Sequence, residues 1–182
     1  REIWTPVRSW PYTPRMDLIV KPDGWLHCGQ TAYRCALGRN HIATVKKEGD
    51  GATPVGRFPL RRLYYRADRI ELLMTSLPVS VIGETDGWCD DPTCASYNSL
   101  VRLPHEGSHE NLWRNDGLYD VVVTIGHNDE PAVPGLGSGI FLHVAAKDYA
   151  PTEGCVALGL DDLRTVIADC DTGTSLHIMS ES

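Results

Sequence analysis

The stretch GIFLHVAAKDYAPTEGCVAL, residues 139–158, decides the fold and the chemistry that the rest of the sequence must support. It opens with an apolar run of β character that ends at His143, and after a loop it reaches Gly154 and Cys155. A cysteine is a nucleophile only as a thiolate, so it needs a base within reach. Because the loop is long enough to reverse the chain, we expect His143 and Cys155 to lie side by side on neighbouring strands, as base and nucleophile.

The residues just before Cys155 are candidates for shaping the site. Gly154 allows close backbone approach and unusual dihedral angles, which makes the N–H groups of Gly154 and Cys155 candidate oxyanion donors. Tyr149 and Thr152 stand in the same loop, and we expect both to line a substrate groove. The alternative is a structural cysteine, because a Cys twelve residues after a His also occurs in unrelated proteins.

Outward from this stretch, the sequence predicts a mainly β domain with one late helix. Residues 118–126 are β-branched and uncharged after Asp120, which is typical of a buried strand. Leu160, Leu163, Val166, Ile167 and Cys170 recur at helical spacing, and Gly173 ends that pattern. Further strands are predicted at 17–21, 25–28, 32–37, 58–66, 139–145 and 174–179.

His127 and Asn128 follow the predicted strand 118–126. If this strand pairs with the strand that carries His143, both residues reach the same edge, so we expect them to contact substrate. The alternative for His127 is a loop histidine whose hydrogen bonds are satisfied locally.

Bulk composition favours one domain and excludes some partners. The 182 residues contain 42% hydrophobic residues, enough for an ordinary core. A net charge of −7 without a Lys/Arg cluster argues against nucleic-acid binding. No apolar run is long enough for a membrane span. Because the chain begins at Arg1 and not at Met, we expect that a signal peptide has been removed or trimmed.

The six cysteines leave the redox state open. With Cys155 set aside as a free thiol, Cys28 and Cys35 flank a turn, and Cys89 and Cys94 span a Pro-containing loop. Either pair could form a disulfide, which would fit an oxidising compartment. The alternative is that all are reduced, small apolar residues, and we expect Cys28, Cys35 and Cys170 to be structural.

Two segments of the sequence, at 1–16 and 66–116, lack a regular hydrophobic pattern. Residues 1–16 hold three prolines and are predicted to form an extended lead-in to a single domain at 17–182. Residues 66–116 are rich in loops and are predicted to be an insertion. Within them Trp88 is either a lid aromatic or a structural residue. His105-x-x-x-His109 resembles a metal motif, but Pro104 and Gly107 argue against the helix it needs, so no metal is expected.

Two motifs resemble those of the L,D-transpeptidase (YkuD-like) catalytic domains. That family has an apolar strand ending in His, a loop, and then Ser/Thr-x-Gly-Cys before an apolar residue; this chain has IFLH at 140–143 and TEGCV at 152–156. GDGATPVGRF at 49–58 is similar to the family's early signature, GDG-x-TP-x-G-x-F. On composition alone the latter segment would be an ordinary surface loop. The resemblance covers 17–65 and 118–179 well and the middle third poorly.

The resemblance implies a β-sandwich of mixed sheets with one C-terminal helix and a role in cell-wall biogenesis and cell shape. It implies that Cys155 attacks a peptidoglycan tetrapeptide stem at the L-centre of its third residue and forms a thioester that an amine acceptor resolves. No metal or organic cofactor is implied. The setting would be periplasmic or cell-envelope, and a carbapenem would form a covalent adduct.

The chain also departs from the family pattern. Many members have His where this chain has Glu153, Arg or Asn where it has Ala157, and Gly or Ser where it has Val144. The loop between His and Cys is short. These differences affect substrate contacts, so two alternatives stay open: an L,D-carboxypeptidase or stem-cleaving thiol hydrolase, and a non-catalytic envelope-binding domain.

Overall fold

The computed structural model describes residues 17–71 and 73–180, so the predicted lead-in at 1–16 lies outside the described residues. The described chain forms fourteen strands and one α-helix, α1, at Leu160–Ala168. The strands are β1 (Asp17–Lys21), β2 (Trp25–Cys28), β3 (Thr31–Ala36), β4 (Ile42–Ala43), β5 (Thr53–Pro54), β6 (Gly56–Tyr65), β7 (Val79–Val81), β8 (Asp86–Cys89), β9 (Leu100–Arg102), β10 (His109–Asn111), β11 (Val121–Ile125), β12 (Phe141–Val144), β13 (Val156–Leu158) and β14 (Ser175–Ile178).

The main sheet contains nine strands in the order β11-β12-β13-β3-β2-β1-β14-β6-β7. It closes on itself because β6 is ten residues long: its first half pairs with β14 and its second half with β11. The pairings are mixed, with β1–β14, β12–β13 and β6–β7 parallel and the others antiparallel. The predicted class, mainly β with mixed sheets and a C-terminal helix, is therefore confirmed.

The core lies inside this closed sheet and beneath α1. Every residue of β11 is buried, as its β-branched sequence predicts. The helix buries Leu163, Val166 and Ile167, three of the residues that predicted it from their spacing, and its first turn carries Asp161 and Asp162. It ends at Ala168, two residues before the predicted end. The most deeply buried elements are thus those whose sequences have the clearest periodicity.

The middle segment, residues 66–116, divides between two sheets. Strand β7 joins the edge of the main sheet beside β6, whereas β10-β8-β9 form a separate three-stranded sheet of very short strands. Arg66 anchors the start of this segment: it is buried, its Nη1 donates to the Arg114 carbonyl at 2.6 Å, and its guanidinium lies 3.5 Å from the Trp113 ring centroid. Such cation–π contacts are worth most when they are desolvated.

None of the six cysteines forms a disulfide in the part of the chain that the structure describes. For the first of the two possible pairs the β2–β3 register sets Cys28 opposite Thr31 and leaves Cys35 further along the hairpin.

Candidate active site

Strands β12 and β13 bring His143 and Cys155 to one face of the sheet. The two strands are parallel, with Leu142 opposite Val156 and His143 opposite Ala157. Since alternate residues of a strand point to the same face, the side chain of Cys155, two residues before Ala157, lies on the His143 side. Both residues line one cavity of about 360 Å³.

The Cys155 thiol is held by backbone groups. Its Sγ donates to the Gly139 carbonyl at 3.2 Å and accepts from the Phe141 N–H at 3.3 Å, and the residue is 7% exposed. Burial and, second to it, the charge of Glu110 raise the pKa of this thiol to about 12, against the opposing effect of the Phe141 N–H. In the free protein the sulfur is therefore protonated.

The His143 ring is fixed as one tautomer. It is 4% exposed, and its Nδ1 lies 2.8 Å from the Val144 carbonyl, which requires the proton on Nδ1 and leaves Nε2 as a proton acceptor. The Tyr119 ring packs edge-on against it with centroids 5.2 Å apart. Burial lowers the His143 pKa to about 4. The candidate nucleophile and base thus rest as a neutral pair.

Gly154 joins the two sequence motifs. Its φ of +130° lies in the region that favours glycine, and a Cβ there would come within 2.8 Å of the Ala52 carbonyl oxygen. The GDGATP segment therefore packs directly behind Cys155. The Gly154 N–H already donates to Thr152 Oγ1 at 3.1 Å, so of the two predicted oxyanion donors only the Cys155 N–H remains.

Thr152 lies in the cavity wall and fixes the loop before the cysteine. Its hydroxyl donates to the Cys155 carbonyl at 2.7 Å, and its backbone bridges to Gly38. Beside it Glu153, which also lines the cavity, pairs with Arg39. The threonine of the motif therefore positions the nucleophile's backbone.

His127 and Asn128 lie away from this cavity, in contrast to the prediction. His127 lines a neighbouring cavity, where its Nε2 lies 3.1 Å from the Leu136 carbonyl and its ring packs edge-on against Phe58. The Asn128 side chain bonds the backbone of Val133 at both its oxygen and its nitrogen. Both side chains thus organise the loop after β11, which is the alternative that the sequence left open for His127.

Tyr149 also points elsewhere. The guanidinium of Arg34 lies 4.4 Å from its ring centroid, and its hydroxyl lies against Gly159. The residue adopts a φ of +56° in the turn at Lys147–Tyr149. This turn directs the aromatic ring toward β3, and Tyr149 is not among the residues that line the cavity of Cys155 and His143.

The sequence missed most of the charged wall of the cavity. Lys46 and Glu48 come from the loop before GDGATP. Three further charged residues come from the middle segment, Asp90, Glu110 and Arg114, beside Trp88, which the sequence offered as a possible lid aromatic. The only sequence signal was the GWCDDP run at 87–92, which lacks the periodicity needed to place it.

The charged side chains of this wall differ in whether they have a hydrogen-bond or ion-pair partner. Tyr119 donates to Glu110 at 2.7 Å, and burial raises the Glu110 pKa. Lys46 is buried and pairs with Asp50. Asp90 Oδ1 is the one buried side-chain oxygen or nitrogen without a hydrogen-bond partner within residues 17–71 and 73–180. A buried acceptor without a donor indicates a place for a ligand's N–H or ammonium.

Asn98 connects the middle segment to the loop that holds the thiol. Its Oδ1 accepts from both Trp88 Nε1 and the Gly139 N–H at 3.0 Å. Its Nδ2 donates to the carbonyls of His127 and Asn128. Trp88 also packs edge-on against Phe141, so it is both structural and cavity-lining. Asn98 thereby fixes the backbone of Gly139, whose carbonyl accepts from Cys155.

The comparisons with known proteins identify one family. Residues 18–178 match the L,D-transpeptidase catalytic domain, YkuD. No curated protein and no solved structure matches the chain at a significant level. Within the part of the chain that the structure describes, none of the helical elements has the length and apolarity of a membrane span.

Proposed function

Because the chain belongs to the family of L,D-transpeptidase catalytic domains, we propose that it is a cysteine-dependent peptidoglycan L,D-transpeptidase of the cell envelope. The observation that carries the proposal is the placement of Cys155 and His143 on one sheet face, in one cavity, with His143 Nε2 free to take a proton. A tetrapeptide stem is the proposed donor, and an amine of a second stem the acceptor.

The proposed reaction has two acyl transfers. Cys155 Sγ attacks the carbonyl at the L-centre of the donor's third residue while His143 Nε2 takes the thiol proton, and the Cys155 N–H donates to the developing oxyanion. The amide C–N bond then breaks, the proton passes from His143 to the departing amine, and a terminal D-amino acid leaves. The acceptor amine next attacks the thioester, forms the new amide and restores the thiol.

The charged wall supports an amine acceptor. Asp90 and Glu110 offer carboxylates to an ammonium, and Lys46 and Arg114 offer cations to stem carboxylates. A bound ammonium beside Glu110 would oppose that carboxylate's effect on the Cys155 pKa, which adds to the larger effect of burial.

The direct test is the intact mass of the protein after exposure to a carbapenem. Wild type is expected to gain one covalent adduct, which requires an accessible, activated thiol. Cys155→Ala should gain none, and Cys28→Ser, which removes a cysteine from outside the cavity, should react like wild type. An unmodified wild type, or an adduct that persists in Cys155→Ala, would contradict the proposal.

Muropeptide analysis separates transfer from the alternatives. Wild type incubated with disaccharide-tetrapeptides should give cross-linked dimers that Cys155→Ala does not form. Shortened monomers without dimers, even with added amine, would instead identify a carboxypeptidase or stem-cleaving hydrolase. Equal binding of both proteins to sacculi without any product would identify a binding domain.

A further inference from the structure

A second cluster of reactive side chains lies in the small sheet, apart from the candidate active site. Cys89 ends β8 and is fully buried, while Cys94 and His105 follow in loops. Each offers one ligand atom, and these atoms all lie within 4.8 Å of one another. The proposed transfer reaction uses none of the three residues.

One distance within this cluster matches the edge of a metal tetrahedron. Cys94 Sγ and His105 Nε2 are 3.6 Å apart. Zinc holds sulfur at about 2.3 Å and nitrogen at about 2.0 Å, which puts neighbouring ligand atoms of a tetrahedron roughly 3.5 Å apart. Two thiols and an imidazole are soft and borderline ligands, and such a set favours zinc over magnesium or calcium.

A backbone N–H reaches each of the two sulfurs. The Ser96 N–H donates to Cys94 Sγ at 3.4 Å, and the Asp91 backbone N–H bonds the Cys89 sulfur. In each case the donor stands two residues after the cysteine. Such outer hydrogen bonds orient ligands and stabilise their negative charge at metal sites.

His109 is placed to be the fourth ligand. It stands opposite Cys89 in the β8–β10 ladder, and its ring centroid lies 5.9 Å from that of His105. Its Nδ1 lies 2.8 Å from the Gly107 carbonyl, which puts the proton on Nδ1 and leaves Nε2 for a metal. His109 is not among the residues whose ligand atoms lie within 4.8 Å of one another, so it would complete the site only by a rotation of its side chain that gives up the Gly107 hydrogen bond.

A bound metal would stabilise the small sheet formed by β8, β9 and β10. Its strands are three or four residues long, and so short a sheet buries little apolar surface of its own. It nevertheless positions Trp88 and Asp90, the two neighbours of Cys89, in the wall of the candidate active site. A metal at Cys89 would fix that wall from behind.

We propose that Cys89, Cys94 and His105 bind a structural Zn²⁺, with His109 as the fourth ligand. The spacing, C-x4-C-x10-H-x3-H, has the form of a Cys2His2 site. Binding releases the two thiol protons to solvent and involves no oxidation. The sequence expectation of no metal considered the His105/His109 pair alone and a helix; the structure brings two cysteines to His105 through a β-ladder and loops.

The test is metal content of the full-length chain, purified under reducing conditions and dialysed against a low concentration of zinc. About one zinc per chain is expected for wild type. Cys94→Ser and His105→Ala should each lose it. Cys28→Ser and His177→Ala remove the same residue types outside the cluster and should retain it.

Cobalt provides a second readout. Co²⁺ added to the metal-free chain should give the thiolate charge-transfer absorption of a tetrahedral sulfur site, lost in Cys94→Ser. A Cys89–Cys94 disulfide in peptide maps of the unreduced protein, or a reduced protein that binds no zinc, would overturn the proposal. Cys155→Ala should bind zinc like wild type, so the result is independent of the transpeptidase assay.

Discussion

The closed sheet and the middle segment contribute to the same cavity by different means. The sheet fixes Cys155 and His143 through strand pairing between β12 and β13, where the backbone determines which side chains share a face. The middle segment supplies charges such as Asp90 and Glu110 from short strands, held by individual side-chain contacts. The reacting groups are thus positioned by periodic structure, whereas their electrostatic surroundings depend on a few specific hydrogen bonds.

The largest effect is expected from Gly154→Ala, in the sheet's part of the site. A Cβ would meet the Ala52 carbonyl oxygen at 2.8 Å in a φ region that alanine avoids. Strain and overpacking together should lower the free energy of unfolding by about 3–5 kcal/mol. Urea denaturation measures this loss. Gly29→Ala also has positive φ but meets no atom within 4 Å, so it should cost about 1 kcal/mol; equal losses would contradict the argument.

A pH dependence of stability is expected from His143. Its pKa is lowered by burial from 6.5 to about 4, so between those values the unfolded chain binds a proton that the folded chain does not. Stability therefore falls as pH falls through this window, by about 3 kcal/mol for this group. Urea midpoints measured from pH 7 to 4 should drop less steeply in His143→Gln. The control His177→Gln should retain the wild-type slope, and a slope unchanged in His143→Gln would be inconsistent with a buried neutral imidazole.

In the middle segment, Asn98→Ala tests the connection between the two regions. The change removes the acceptor of the Gly139 N–H and of Trp88 Nε1. Leaving buried donors unpaired should cost about 2 kcal/mol of stability and, because Gly139 contacts the thiol, slow acylation by a carbapenem about tenfold or more. Stopped-flow measurement of acylation, with the exposed Asn111→Ala as control, checks this. An unchanged acylation rate would show that the segment does not position the nucleophile.

The smallest effect is expected from Glu110→Gln. The Glu110 charge raises the Cys155 pKa beyond the larger effect of burial, so its removal should increase the thiolate fraction. Alkylation of Cys155 by iodoacetamide should become about 3- to 10-fold faster and its pH profile should move to lower pH. Glu106→Gln, an exposed carboxylate of the same segment, should leave the profile in place. A slower reaction in Glu110→Gln would mean that the carboxylate acts as a base.

The main sheet and helix α1 could be predicted from the sequence because their hydrophobic residues recur with a simple period. The β-branched run of β11 and the helical spacing of Leu163, Val166 and Ile167 each repeat a simple period, and both were predicted nearly to their ends. The two motifs at 49–58 and 152–156 were found as patterns. That they touch through Gly154 and Ala52 depends on the closed sheet, which no local pattern encodes.

The charged wall of the cavity could not be predicted, because its residues follow no periodic pattern. Arg114 and Glu110 stand in loops or short strands where no period exists, and their neighbours are set by contacts such as that of Arg66 with Trp113. The expectation for His127 rested on its position at a strand end and that for Tyr149 on its place in the loop before Cys155, and neither position fixes the direction of a side chain. Local hydrogen bonds and a positive φ turn these side chains away from the cavity.

The resting state of Cys155 has a consequence for durability. A sulfur that is 7% exposed, with a pKa of about 12, is a poor target for peroxide, because oxidation to sulfenic acid proceeds through an accessible thiolate. In an oxidising environment the unoccupied site would therefore keep its thiol for long periods.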